Sequence, residues 1–401
     1  MKVAFLFDRR PVFPPDFNNM KCYYVSEEMA KRGVEVIWLC MNGRDRVSMA
    51  GHITFVSLRV PAFRLVSALV TDLRIMAFCL FNSVRIVYMD AWFYYRDSPF
   101  RQLATILTLR VFGMRVVVDQ RDPYLDFEVA RGAVRPGTLK HRVLRIHEKA
   151  TVTACSLLIL PSKAYENLLK SEGAPAGKVR GVFRGIDLKQ FNPSVKGDRI
   201  KAQLGLEGKF VLGWFGIMYG YRQVNEVLIP LAQSLHTIVP NGRMVLGGKG
   251  PLESALREAK QGEEGGQFDY VGTVKYSELP EYLSACDVLL CPVSVRFRFS
   301  RHSNWLKILE GIAVGVPVIA TKTESSAVDL KGLKGIVWTG DDLADFRASI
   351  ENTYRNLRQI RGEAIEQAKD LTEFGIDRTI PLIVDQVLET ANTLRGGLLD
   401  Q

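Results

Sequence analysis

A buried-type strand, a helix closed by glycine and a second buried-type strand follow one another at the start of this 401-residue chain. Val3–Phe7 reads as the first strand, Cys22–Lys31 as the helix, Gly33 as its stop and Val34–Leu39 as the next strand. That succession is the signal of a βαβ unit, and so of a parallel sheet. Ile53–Leu58, Ile86–Tyr88, Arg115–Val118 and Leu157–Leu160 continue the sheet as short apolar strands. Pro61 to Leu80 places Phe63, Val66, Val70, Leu73, Ala77 and Leu80 on one helical face, with Arg64 and Arg74 off it.

The pattern then stops and restarts. Arg184 to Arg199, with Gly185, Asn192, Pro193 and Gly197, reads as a linker. After it come strand Phe210–Phe215, a tight loop Gly216–Gly220, helix Val224–Leu235, strand Arg243–Leu246 with Gly247, Gly248 and Gly250 behind it, and strand Phe268–Val271. Ser277 is expected to cap a helix reaching Cys286, with Pro280 in the first turn, where no donor is needed. Strand 288–291, helix 305–314 and strand 316–320 complete the second run. A chain this long exceeds one core, so the expectation is an α/β protein of two Rossmann-like domains. Residues 1–190 would form the first, 191–375 the second, and 376–401 a C-terminal segment whose helix, Ile380 to Leu394, packs back on the first.

Lys307-Ile-Leu-Glu310 opens the helix after strand Val288–Cys291, followed by Gly315-Val-Pro317. Open α/β sheets bind ligands at the carboxyl ends of their strands. A helix N-terminus there presents free amides to a phosphate, and a carboxylate one turn on can accept from vicinal hydroxyls. The same residues also fit an ordinary amphipathic helix with Lys307 and Glu310 in solvent.

Charge is unevenly placed: residues 1–195 carry 29 Lys and Arg against 17 Asp and Glu, and the remainder is close to neutral. A basic half suits an anionic partner, or is simply a basic surface. Arg64, Arg74, Arg85, Arg101, Arg110 and Arg115 alternate with apolar residues. Such a surface can lie on an anionic membrane; equally, the apolar residues can be core and the arginines its rim. Six cysteines without a Cys-x-x-Cys pair point to reduced thiols and a cytoplasmic setting, with a peripheral place at the inner membrane face as the alternative. The N-terminus reads as a strand rather than a signal peptide, and no uninterrupted apolar run is long enough to span a bilayer.

Several motifs in register resemble the retaining glycosyltransferases of the GT-B fold, the large family that includes sucrose, mannosyl and bacterial polysaccharide transferases. Asp119-Gln-Arg121-Asp122-Pro is similar to its acceptor-side loop, and His147-Glu-Lys through Leu160-Pro-Ser162 to the helix and strand before the crossing segment. Arg184-Gly185-Ile186-Asp187 with Phe191-Asn-Pro193 resembles that crossing segment itself. Gly248-Lys-Gly250-Pro251-Leu252, Tyr282-x-x-Ala285-x-Asp287-Val288 and Lys307-x-x-Glu310 with Gly315-x-Pro317 complete the series. Three positions depart from it. His302 stands where the first of two spaced glutamates is usual, Ile217 where an Arg commonly follows Gly216, and Pro14-Pro15-Asp16-Phe17-Asn18-Asn19 where a glycine pair is expected.

The resemblance implies two domains facing each other across a cleft and a hexosyl-type transfer with retention of configuration. The donor would be a UDP- or GDP-linked sugar, and the acceptor a glycan, glycolipid or lipid-linked molecule. Arg222, Lys307 and the amides opening the 305–314 helix would stabilise the departing diphosphate, with Glu310 on the ribose. Gly216, Gly248 and Gly250 would admit the donor to the backbone, though each also fits plain turn chemistry. Asp122 would orient or deprotonate the acceptor hydroxyl and Arg121 hold a phosphate, unless the pair only makes a hydrogen-bonded turn. His302 would touch sugar or phosphate, or be a loop histidine. No metal or other cofactor is called for: there is no Asp-x-Asp, and the histidines lack ligand spacing. No nucleic-acid module is recognisable. A sugar-nucleotide epimerase and a binding or scaffold protein on a decayed transferase fold are the other readings.

Overall fold

The computed structural model describes residues 1–7, 20–41, 46–58, 64–90, 99–120, 123–261, 268–303 and 305–392. Two compact units emerge, one formed by Met1–Arg184 with Arg378–Gln401 and the other by Gly185–Asp377.

The first unit holds strands β1 (Lys2–Phe7), β2 (Glu35–Met41), β3 (Arg46–Ala50), β4 (Ile53–Leu58), β5 (Val84–Asp90), β6 (Arg115–Asp119), β7 (Leu157–Leu160) and β8 (Val179–Gly181). Its helices are α1 (Met20–Lys31), α2 (Arg64–Phe81), α3 (Pro99–Val111), α4 (Tyr124–Ala130), α5 (Leu139–Ala154) and α6 (Lys163–Ser171). The sheet order is β3-β4-β2-β1-β5-β6-β7-β8, parallel except for the β3–β4 pair. Alternate residues of the central strands serve two layers. Ala4, Leu6, Leu39, Val87, Met89, Val116 and Val118 pack under Ile75 and Cys79 of α2 and Ile106 and Leu109 of α3. On the other face Phe5 stacks on Tyr88 at 4.6 Å, and Trp38 donates to Ser26 Oγ of α1 at 2.8 Å.

The second unit holds β9 (Phe210–Phe215), β10 (Gly242–Gly247), β11 (Phe268–Gly272), β12 (Val288–Cys291), β13 (Val318–Thr321) and β14 (Ile336–Thr339), in the order β11-β10-β9-β12-β13-β14. Every pairing in this sheet is parallel. Its helices are α7 (Asp198–Leu204), α8 (Ile229–Ser234), α9 (Glu253–Gln261), α10 (Leu279–Ser284), α11 (Arg298–His302), α12 (Leu306–Ala313), α13 (Glu324–Asp329), α14 (Leu343–Arg355) and α15 (Leu357–Ala368). The last helix, α16 (Ile376–Asn392), has most of its length in the first unit. The chain leaves β9 towards β10 on one side and returns to β12 on the other, so the order reverses at β9/β12. That reversal leaves a crevice beyond the carboxyl ends of the two strands.

The expected α/β class is what the chain adopts, and several local expectations need correction. Ser277 does not cap α10; Glu278 occupies that place and makes no side-chain cap. The single helix expected over Val224–Leu235 is a π turn, Val224–Leu228, followed by α8. Pro230 has no N–H to give and its ring crowds the preceding turn, which the wider π turn accommodates. Arg184–Arg199 is not a free linker: Ile186 pairs with Gly375, Phe191 is fully buried against Tyr276, and α7 begins at Asp198. Pro61, Phe63 and the Pro14–Asn19 stretch lie outside the described residues, as do the side chains of Arg64 and Val66. All six cysteines are buried, and none forms a disulfide.

Candidate functional site at the carboxyl ends of β9 and β12

Where β9 ends, the bare backbone of Gly216 leaves its space to the tips of two cationic side chains. A Cβ there would lie 2.4 Å from Lys307 Nζ and 3.4 Å from Arg222 Nη1. Gly248, at φ +134°, approaches from the neighbouring strand, and its Cβ would fall 1.8 Å from the Gly216 carbonyl oxygen. Gly250 passes close to the Met218 backbone, where its Cβ would fall 2.6 Å from Met218 N. Hydrogen bonds fix this layering: Gly216 N–H donates to Gly247 O at 2.9 Å and Met218 N–H to Lys249 O at 2.9 Å.

Two cations enter this bare backbone from different elements. Lys307, second residue of α12, is half-buried and donates to the Phe215 carbonyl, with its ammonium 5.7 Å from the Trp214 ring. Burial, then the neighbouring Arg222, lowers its pKa to about 8; Glu310 and Cys291 oppose the shift. Arg222 closes the 3-10 turn Gly220–Arg222, its guanidinium 5.5 Å from the Tyr221 ring and 5.4 Å from that of Trp305. Among the described residues its Nε, which is buried, has no hydrogen-bond partner. A buried guanidinium nitrogen left unbonded is costly unless something else accepts from it. Glu310, one turn into α12, is buried and lines with Lys307 a small pocket whose other walls include Trp214, Phe215, Leu283 and Leu289.

The structure therefore brings together Gly216, Gly248, Gly250, Arg222, Lys307 and Glu310. His302 lies on α11, buried, with Nδ1 3.1 Å from the Arg298 carbonyl of its own helix. Arg121 and Asp122 lie outside the described residues. Among the described residues, no group of three or more His, Cys, Asp and Glu could hold a metal ion.

Two features escaped the sequence reading. Tyr221 and Trp305 flank Arg222, and Phe299 packs edge-on to both at 5.1 and 6.2 Å. An aromatic at each side of the motif was the available signal. In the first unit, Asp119 at the end of β6 is fully buried, 2.8 Å from the Lys21 ammonium of α1, and accepts from the Tyr88 hydroxyl. Burial first, with Asp119 adding to it, pushes the Tyr88 phenol well above its ordinary pKa. Lys21 and Asp119 are 98 positions apart, and no local pattern announces their pairing.

The model of the family described as Glycosyl transferases group 1 matches residues 209–356, the greater part of the second unit, which bears out the resemblance seen in the motifs. No curated protein sequence matches. Among solved structures, the chain is similar to Anabaena HepE in complex with UDP (TM-score 0.72, 15% identity, 97% of this chain and 100% of that one). It is also similar to sucrose-phosphate synthase from Thermosynechococcus elongatus (TM-score 0.70, 17% identity, 100% of both chains). A third likeness is the catalytic domain of starch synthase IV from Arabidopsis thaliana bound to ADP and acarbose (TM-score 0.68, 11% identity, 98% and 99%). At these identities the likeness shows the fold, and it bears out the expected architecture of two Rossmann-like α/β domains.

Proposed function

We propose that the chain is a glycosyltransferase that takes a sugar from a nucleotide diphosphate donor and seats the diphosphate between Arg222, Lys307 and the first amides of α12. The observation that carries this reading is the pair of cations held against the side-chain-free backbone at Gly216, with an unbonded guanidinium nitrogen between two aromatic rings. Like charges brought together in a partly dehydrated place repel, and a dianionic group between them removes that repulsion. As the bond from the sugar C1 to the diphosphate oxygen breaks, negative charge builds on the leaving oxygen. Fixed cations and amides aimed there stabilise that state more than the ground state. Glu310 would accept hydrogen bonds from the ribose hydroxyls.

The family match over the same unit supports the reaction class, and HepE has been solved with UDP-glucose. UDP or GDP is the expected nucleotide of the donor. A hexosyl donor, retention at C1 and a glycan, glycolipid or lipid-linked acceptor follow from the motif series as parts of the same proposal. Arg121 and Asp122 would serve the acceptor hydroxyl and His302 the transferred sugar. The buried, reduced thiols fit a cytoplasmic setting.

Calorimetric titration with UDP, GDP and their glucose and mannose conjugates, paired with an assay for released nucleoside diphosphate, tests this. Binding of one nucleotide series with slow hydrolytic release supports transfer. Binding without turnover, with or without acceptor extracts, would leave a sugar-nucleotide-binding protein. An altered sugar on intact nucleotide would make it an epimerase.

A further inference from the structure

The outer face of the first unit's helical layer is apolar where a surface helix should be polar. α3 packs between α2 and α5 and buries Gln102, Thr105, Ile106 and Leu109. The opposite stripe of such a helix normally carries polar residues. Here Phe100, Ala104, Leu107 and Val111 follow one another at helical spacing in solvent, Val111 with 81% of its surface exposed. α2 ends on Leu80 and Phe81, the latter 89% exposed, and Phe112 follows α3. Register pairs Ile86 of β5 with Arg115 of β6, so the two helix-to-strand turns lie side by side and Phe81, Val111 and Phe112 share the end of the sheet where these strands begin. α5 repeats the pattern with Leu139, Val143 and Ile146.

Among the described residues, the exposed charged side chains of α2, α3 and α5 and of the start of β5 are all basic. Arg74, Arg85, Lys140, Arg142 and Lys149 are exposed. The two acids of the three helices are engaged inward. Asp72 is buried and accepts from Thr105 Oγ1 at 2.7 Å, while Glu148 accepts from Leu125 N–H at 3.0 Å and from Arg145 at 3.1 Å. Half of the arginines singled out in the sequence are not fully on display. Arg101, Arg110 and Arg115 are half-buried, and Arg110 donates to Ser156 Oγ. The cations of α5 take their place.

We propose that this face docks on an anionic lipid bilayer, with Phe81, Val111 and Phe112 entering the headgroup region and the cations of α2, α5 and β5 lying over the lipid phosphates. Exposed aromatic and aliphatic tips ringed by cations bind where apolar and anionic surface coincide. A second copy of the chain suits the face poorly, because self-association would oppose the same cations. The inference stands whether or not the donor-site reading holds.

Co-sedimentation of the full chain with vesicles of phosphatidylcholine, alone or with an equal part of phosphatidylglycerol, tests it. Binding is expected to the anionic vesicles, with little to the neutral ones, and it should fall as salt is raised. Phe81→Asp with Val111→Asp should lower the partition at least roughly tenfold, and Arg142→Glu with Lys149→Glu by about fivefold per cation. All four positions are exposed, so circular dichroism and thermal unfolding should match the parent, which separates lost docking from lost fold. Failure to bind anionic vesicles, or binding that both pairs of substitutions leave intact, would overturn the proposal. So would a concentration-dependent dimer in sedimentation equilibrium that Phe81→Asp dissolves, since a second copy would then be the cover.

Discussion

Each sheet places charged side chains at the carboxyl ends of its central strands, and the two sets are balanced differently. In the first unit, Lys21 and Asp119 form one buried cation and one buried anion in contact, with Tyr88 donating to the carboxylate. In the second, Arg222 and Lys307 bring two cations together beside the carboxylate of Glu310, and one guanidinium nitrogen is left unbonded among the described residues. A buried pair that satisfies itself is a structural tie and asks for nothing from solution. A cluster with surplus positive charge is incomplete on its own, and an anion completes it. Sequence treats these residues alike, as charged positions near strand ends. The balance of charge in three dimensions separates a tie from a seat.

The largest effect expected from this contrast is on folding. Asp119→Ala should strand the buried Lys21 ammonium at the carboxyl end of β6 and cost about 3–5 kcal/mol of stability, measured by chemical denaturation. Replacing both partners, Lys21→Met with Asp119→Leu, should recover most of that loss. Lys307→Met should behave in the opposite way and leave the ligand-free protein as stable as the parent or more so, because it relieves the repulsion from Arg222. If Lys307→Met destabilises as much as Asp119→Ala does, the distinction between tie and seat is lost.

Next in size is the effect on binding. Arg222→Ala should weaken nucleoside diphosphate affinity by roughly a hundredfold, the scale for removing a fixed cationic donor from a charged oxygen. The unfolding midpoint should hardly move. The Asp119→Asn variant should keep its nucleotide affinity within about threefold, because that carboxylate has its own partners in the other unit. Isothermal titration of both variants makes the comparison sharp.

Much of the architecture was legible because parallel strands buried on both faces leave unbroken apolar runs, as in Val3–Phe7, Phe210–Phe215 and Val288–Cys291, each found within a residue of its expected limits. The antiparallel edge strand β3 and the three-residue β8 were missed, since edge strands are short and polar enough to pass for loop. The cluster of Gly216, Gly248, Arg222, Lys307 and Glu310 was legible as a motif series, but its geometry was not. That Lys307 reaches the backbone at Phe215 depends on α12 crossing beside β9, a contact across 92 positions. The pairing of Lys21 with Asp119 was invisible for the same reason. Hydrophobic period reports which face of an element is buried, and carries no record of which distant charge it meets there.

The last predicted effect is the most specific to the seat. Lys307 has a pKa of about 8 in the folded protein against an ordinary 10.5. Between those values the unfolded chain binds a proton that the folded chain has released, so this group makes stability rise with pH from about 8 to 10.5 and contributes no slope below 8. Lys307→Met should remove that rise in denaturation curves collected across the window. A bound diphosphate favours the ammonium form, so binding should take up protons near pH 8, and affinity should fall as pH climbs above it. With saturating nucleotide the Lys307 pKa moves back towards its ordinary value, and the alkaline gain in stability shrinks accordingly. Parent and Lys307→Met proteins showing the same pH dependence of stability and of nucleotide affinity would mean that the ammonium is not held against Arg222. The contrast with the self-satisfied pair of the first sheet would then have no physical basis.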